Sequence, residues 1–245
     1  MTRLVACSHG TRDPAGQAAI ARLVDSVSGA LPGLAVAPTY VDVQHPQVAE
    51  VVEGVSGPTV VVPLLLSSGY HVHVDIADAV STRREAVAAP ALGPDPVLAG
   101  LTAKRLRQAG LRAADRVVLA AAGSSDPRAR RDTERAAALL ESALGRPVAL
   151  GHVGAGRDTV ASVVAEQRRR TPYARVAVAS YLLAPGWFRD RLDNVGADLV
   201  SAPLLDGGEP DARLTGLVVR RFLDTMRQDP QCGPLVSAGG TKGPH

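Results

Sequence analysis

The chain nearly repeats itself. Asp13-Pro14 returns as Asp126-Pro127, Pro90 as Pro203 and Leu101 as Leu214, each at an offset of about 113 residues. A duplication of that length across 245 residues restricts the fold to two similar halves packed against each other. Within each half, short apolar runs alternate with helix-spaced segments. In the first half these are strands over 4–7, 34–43 and 60–66, a fourth strand and loop over 89–96, and helices over 15–31, 47–55, 77–88 and 97–109. The second half restarts with a strand over 117–122, a loop over 123–127 and a helix over 128–144. A β-α-β-α order with right-handed crossovers predicts parallel sheets flanked by helices, an α/β fold with a cleft between the halves.

The stretch TVVVPLLLSSGYHVHVDI, residues 59–76, carries the most chemistry. It opens as a strand buried on both faces, breaks at Ser67-Ser68-Gly69, and continues with His71, His73 and Asp75 at two-residue spacing. Ligand sites of open α/β sheets lie at such carboxyl ends of strands. His9 follows the first strand in the same way, and Asp42 and His45 close the second. His9, Asp42 and His71, with His45 or His73 beside them, come from three successive strand ends and can converge. Imidazole and carboxylate suit Fe²⁺, Co²⁺, Ni²⁺ or Zn²⁺, and the same groups do acid/base work near neutral pH. The repeat is lopsided in this respect. His9 falls opposite Ala122, His71 opposite Phe188, and Asp42 and His45 opposite neutral residues around 152–156, so the second half reads as a degenerate copy of the first.

Composition excludes several classes. Aromatic content of 3% and a net charge of +3 give neither stacking platforms nor a basic face for nucleic acid. The two cysteines, Cys7 and Cys232, lie far apart and form no metal or disulfide framework. There is no long apolar run for a membrane, which leads to the expectation of a soluble, cytoplasmic protein. The Gly- and Pro-rich tail over 230–245 reads as disordered, leaving domains over 1–113 and 114–229.

Cys7-Ser8-His9-Gly10-Thr11-Arg12-Asp13-Pro14 resembles the GHGSRDP loop of the sirohydrochlorin chelatases, and the segment from Val62 to Ile76 resembles their VPLFLxxGxHVxxDI signature. The layout resembles a long, two-half member of the cobalto- and ferrochelatase (CbiX/SirB) group. The resemblance implies two flavodoxin-like lobes and ATP-independent insertion of Fe²⁺ or Co²⁺, itself a substrate, into sirohydrochlorin, with no permanently bound cofactor. It maps the two catalytic histidines onto His9 and His71, which also count as metal ligands. An acidic ligand from the FLExxxP segment maps onto Asp42, with His45 and His73 as further candidates. Ser8, Gly10, Arg12, Ser68, Gly69, Tyr70 and Trp187 are implied in holding the macrocycle. Arg83, Arg84 and Arg189 are further candidates for its carboxylates, and Phe188 for a cleft wall. With both halves in one chain, a monomer is expected. The alternatives are a metal or tetrapyrrole carrier without turnover, and a hydrolase resembling the histidine phosphatases, whose loop would need an Arg where Ser8 stands.

Overall fold

The computed structural model describes residues 2–69, 72–154 and 158–229. The first half runs β1 (Arg3–Ser8), α1 (Pro14–Ala30), β2 (Ala35–Tyr40), α2 (Val48–Gly54), β3 (Thr59–Pro63), a π-helical turn (Val72–Ile76), α3 (Ala77–Ser81), β4 (Ala86–Ala88) and α4 (Pro96–Gln108). The second runs β5 (Arg116–Ala121), α5 (Pro127–Leu144), β6 (Val148–His152), α6 (Val160–Arg170), β7 (Val176–Tyr181), the short α7 (Trp187–Asp190), a 3₁₀ turn (Arg191–Asn194), β8 (Leu199–Val200) and α8 (Ala212–Gln228). Each half forms a four-stranded parallel sheet, in the orders β2-β1-β3-β4 and β6-β5-β7-β8. The two sheets and their flanking helices make the α/β architecture expected of the duplication. None of the described helices is long and apolar enough to cross a membrane.

The Asp-Pro pairs explain where the helices begin. Asp13 accepts from the N–H groups of Ala15 and Gly16, Asp126 from that of Arg128 and Asp95 from that of Val97, each with proline at the first helical position. Asp211 caps α8 through the Arg213 N–H without a proline. Matching the caps Asp95 and Asp211 sets Leu101 opposite Leu217 and not Leu214, because the turn over 206–210 lengthens the second half.

Four elements differ from the sequence reading. β3 stops at Pro63, which has no N–H to donate to a sheet ladder. β2 stops at Tyr40, short of Val43, where the backbone turns to a φ of 65°. The helix expected over 77–88 ends at Ser81: the hydroxyls of Ser81 and Thr82 donate to the carbonyls of Asp78 and Ala79, and Arg83 is tied to the carbonyls of Val52 and Gly57. The chain then enters the sheet at Ala86, beside Thr59, so the fourth strand lies ahead of the 89–96 segment.

The halves are interlocked. α4 packs on β7 and α5 of the second half, while α8 packs on β3 and α1 of the first. One continuous core therefore collects Leu4, Val60 and Leu98 together with Leu119, Ala179 and Phe222. α8 alone buries Leu214, Leu217, Val218, Phe222 and Met226, and each such side chain contributes about 1.5–3 kcal/mol when fully buried. The caps are cross-linked as well, Asp95 to Arg220 and Arg221 of α8, and Asp211 to Lys104 of α4.

Candidate active site

Strand register determines what faces the space between the halves. Along β1, Leu4 and Ala6 enter the shared core, whereas Val5 and Cys7 face α2 and α3. Side chains alternate in a strand, so Ser8 must face the other half. By the same count β3 delivers Leu64, β5 Ala121 and β7 Tyr181. These four floor a cleft of about 650 Å³ lined by both halves. Ser8 is 4% exposed and its Oγ has no hydrogen-bond partner among the described residues. Cys7, on the outer face, is inert: burial, with the charge of Asp75, pushes its thiol up to about 12.

His9 stands one residue beyond Ser8, at the point where the chain leaves β1 for β2 on one side while β3 flanks the other. This is the topological switch point of the sheet. The loop is zipped to the end of β2. The N–H groups of Val41 and Asp42 donate to the carbonyls of Ser8 and His9 at 3.0 and 3.1 Å, and the Thr11 N–H donates to Gln44 Oε1 at 2.9 Å. Gly10 is required here: its φ is +91°, and a Cβ would lie 2.2 Å from the Asp42 carbonyl oxygen. His9 Nδ1 lies 3.3 Å from the Gly10 carbonyl. A carbonyl can only accept, so in this contact Nδ1 is the donor.

The opposite wall comes from the second half. Gly123, Ser124, Arg130, Thr133 and His152 line it, and Trp187 and Phe188 stand at the rim. These two rings are 58% and 37% exposed, meet edge to face at 4.9 Å, and the Arg191 guanidinium lies 4.4 Å over the indole. The seams between the halves are close. Ser68 donates its N–H and its hydroxyl to Asp132 of α5, and a Cβ on Gly16 would meet the Pro185 carbonyl at 2.5 Å.

The family model named CbiX matches residues 3–109 and again 116–199. The chain belongs to the CbiX family. Its two matched segments are the two halves of the duplication. Among solved structures it is similar to SirB from Bacillus subtilis with Fe³⁺, at 22% identity and a TM-score of 0.72 over 91% of this chain and 95% of that one. It is similar also to the sirohydrochlorin chelatase SirB from Bacillus subtilis subspecies spizizenii in complex with cobalt, at 19% identity and a TM-score of 0.71 over 95% and 97%. A third is CbiX, described as the terminal enzyme for biosynthesis of siroheme in denitrifying bacteria, at 18% identity and a TM-score of 0.65 over 91% and 98%. A sequence comparison with curated proteins finds no match.

Of the residues singled out in this CbiX-family sequence, Ser8, His9, Gly10, Arg12, Gly69 and Trp187 line the cleft together, as do Phe188 and Arg189, the latter paired with Asp193 at 2.6 Å. Tyr70 and His71 lie outside the described residues, as do the His73 side chain and the tail over 230–245. Among the described residues no group of three His, Cys, Asp or Glu side chains is placed to hold a metal. The Asp42 carboxylate accepts from the Val43 N–H at 2.7 Å, and its segment meets the cleft through Val43 and Gln44. The His45 ring is exposed and turned to Glu50 at 3.3 Å. Ser68 acts at the seam with Asp132, and Arg83 and Arg84 are not among the lining residues.

The second-half residues Arg130, Thr133 and His152 escaped the sequence reading. The parallel bridges Tyr40↔Gln47 and His152↔Thr159 show that His152 occupies the position of Tyr40. The available signal was a histidine two residues after the apolar run Val148-Ala149-Leu150.

Proposed function

We propose that this CbiX-family chain inserts Fe²⁺ or Co²⁺ into sirohydrochlorin, without ATP and without a resident cofactor, as a cytoplasmic monomer whose two halves, 1–113 and 114–229, supply opposite walls of one cleft. The observation that carries the reading is the conjunction of the duplicated CbiX match with an apolar, arginine-rimmed cleft that has His9 at its switch point. A flat macrocycle bearing many carboxylates needs an apolar slot for its ring and cations at its edge. Leu64, Leu66 and Leu182 offer the first, with Trp187 at the rim, and Arg12 and Arg130 the second.

Insertion has three requirements: water leaves the metal, the metal meets the ring centre, and two N–H protons leave the ring. The imidazole of His9 is a suitable donor to the metal or acceptor of a proton, and His71 is assigned the complementary task. The Ser8 hydroxyl, beside His9 on the floor and without a partner among the described residues, gains one when ligand fills the cleft. Fe²⁺ leads to siroheme and Co²⁺ towards cobalamin.

The test is anaerobic absorption spectroscopy of the purified protein with sirohydrochlorin and each metal in turn, against a metal-only control. Conversion of many macrocycles per protein supports the reading, and the faster metal identifies the product line. A shift that stops at one macrocycle per protein replaces the enzyme with a carrier.

A further inference from the structure

The chelatase reading accounts for the first-half histidines and leaves one cleft-facing histidine of the second half without a task. Insertion of M²⁺ exchanges two pyrrole N–H bonds for metal–nitrogen bonds. Both electron pairs stay on the ring nitrogens, nothing is oxidised or reduced, and two protons must go to bases. We propose that His152 accepts one of these protons on the second-half side of the cleft, so that the duplicated fold keeps a working base in the half that lacks the His9 and His71 positions. This inference rests on the chelatase reading and extends it to the opposite wall.

The hydrogen bonds assign the tautomer. Thr133 Oγ1 donates to the Arg130 carbonyl at 2.9 Å, one helical turn back, which uses its only proton. Its lone pair can then only accept, and the group placed to donate is Nε2 of His152 at 3.3 Å. The proton therefore sits on Nε2, and Nδ1 is the basic nitrogen. Burial, followed by the nearby Arg130 guanidinium, lowers the His152 pKa below the ordinary histidine value, against the opposing pull of Asp158 and Glu134. The ring is thus neutral at pH 7, and an imidazolium formed on it gives its proton up readily.

The surroundings supply a way out. His152 lines the main cleft and also a second hollow of about 550 Å³ on the far side, with Thr159, Arg191 and Asn194. A macrocycle seated in the main cleft covers its own access to water, whereas His152 also borders a second cavity, to which an accepted proton can be passed. The first-loop glycine of the second half approaches His152 closely. Gly123, with a φ of +91°, stands opposite it, and a Cβ there would come within 3.2 Å of the His152 Cβ.

The test compares wild type, His152→Gln and His152→Tyr for kcat, KM of sirohydrochlorin, thermal midpoint and rescue by added imidazoles. Glutamine preserves a donor to Thr133, and tyrosine restores the residue found at the matching first-half position, so at least one variant folds if the ring has no structural duty. The expected result is a kcat lower by about a hundredfold, the lower end of what a positioned base contributes. KM stays unchanged, and imidazole restores the rate with an effect that grows with the basicity of the added base. An unchanged kcat overturns the proposal. So does a raised KM at constant kcat, which would make His152 a contact for a substrate carboxylate, or a lost kcat that no imidazole rescues. If the wild type itself does not turn over, the chelatase reading has failed and this inference falls with it. That outcome is told apart from the others because it precedes any substitution.

Discussion

The two halves share a backbone and differ in what they present to the cleft. Ser8 and His9 of the first half face Ala121 and Ala122 of the second, and Leu64 answers to Tyr181. Tyr40 answers to His152. Where the duplication has kept the same residues, as at Gly10 and Gly123 or Asp13 and Asp126, the reason is local backbone geometry: a left-handed turn or a helix cap. Of the pairs that have diverged, Ser8 and Ala121, His9 and Ala122, and Leu64 and Tyr181 line the cleft, as does His152. Scaffold requirements act equally on both halves, because each strand-to-helix turn needs the same φ angles and capping groups. Ligand requirements do not, because a substrate between two walls meets each wall with different atoms.

The largest test of that contrast is substitution of the proposed catalytic histidines. His9→Ala and His71→Ala are each expected to lower turnover by at least about a hundredfold, while Phe188→Ala is mild. Retained turnover in both histidine variants, measured by the same spectral assay, would remove the assigned asymmetry. Next comes the shared glycine. Gly10→Ala meets the Asp42 carbonyl at 2.2 Å, a backbone atom that cannot swing aside, whereas Gly123→Ala meets the His152 side chain at 3.2 Å. Both take on the strain of a positive φ, but Gly10→Ala should cost roughly 3 kcal/mol and Gly123→Ala about 1 kcal/mol in denaturant unfolding. Equal costs would show that strain, not contact, dominates.

Ser8→Ala converts the first-half floor to the second-half residue, Ala121. The free protein should gain about 1 kcal/mol, because a buried hydroxyl with no partner among the described residues is removed, and catalysis should weaken at the same time. Stabilisation without loss of activity would make the hydroxyl a passive relic. The smallest effect concerns the helix caps. Asp211→Ala should lose about 1 kcal/mol at pH 7. Hydrogen bonding from Arg213, then from Lys104, holds the Asp211 carboxyl below its ordinary value of 3.8. Its folded-state pKa is depressed, so its stabilisation is complete above that value and is lost as pH falls through the lower folded value. The gap between wild type and variant, followed by thermal unfolding, should therefore narrow only in strong acid.

Much of this architecture is legible in local sequence. Asp-Pro pairs announce helix starts, unbroken apolar runs announce buried strands, and a motif after such a run announces the end of the sheet that bears ligands. The misplaced elements have local causes that pattern reading overlooks. Ala77 to Ala88 has helical composition throughout, but two hydroxyl groups and a tethered Arg83 end the helix at Ser81. The candidate site is legible to a similar depth. His9, Gly10 and Arg12 share one loop that the family motif names, whereas Asp42 engages the very next N–H and His45 is drawn to Glu50, contacts that spacing does not announce.

The sequence by itself determined the duplication, the parallel α/β halves, the caps and the histidine-bearing strand ends, because each depends on residues near one another in the chain. Only the tertiary structure decided that α4 and α8 exchange places across the halves, that Ser68 is held by Asp132, and that His152 shares a cleft with His9. Ser68 and Asp132 lie 64 positions apart, and His9 and His152 lie farther apart still. Their partners are selected by burial of helix faces against whichever sheet completes the core, a quantity that no local window contains.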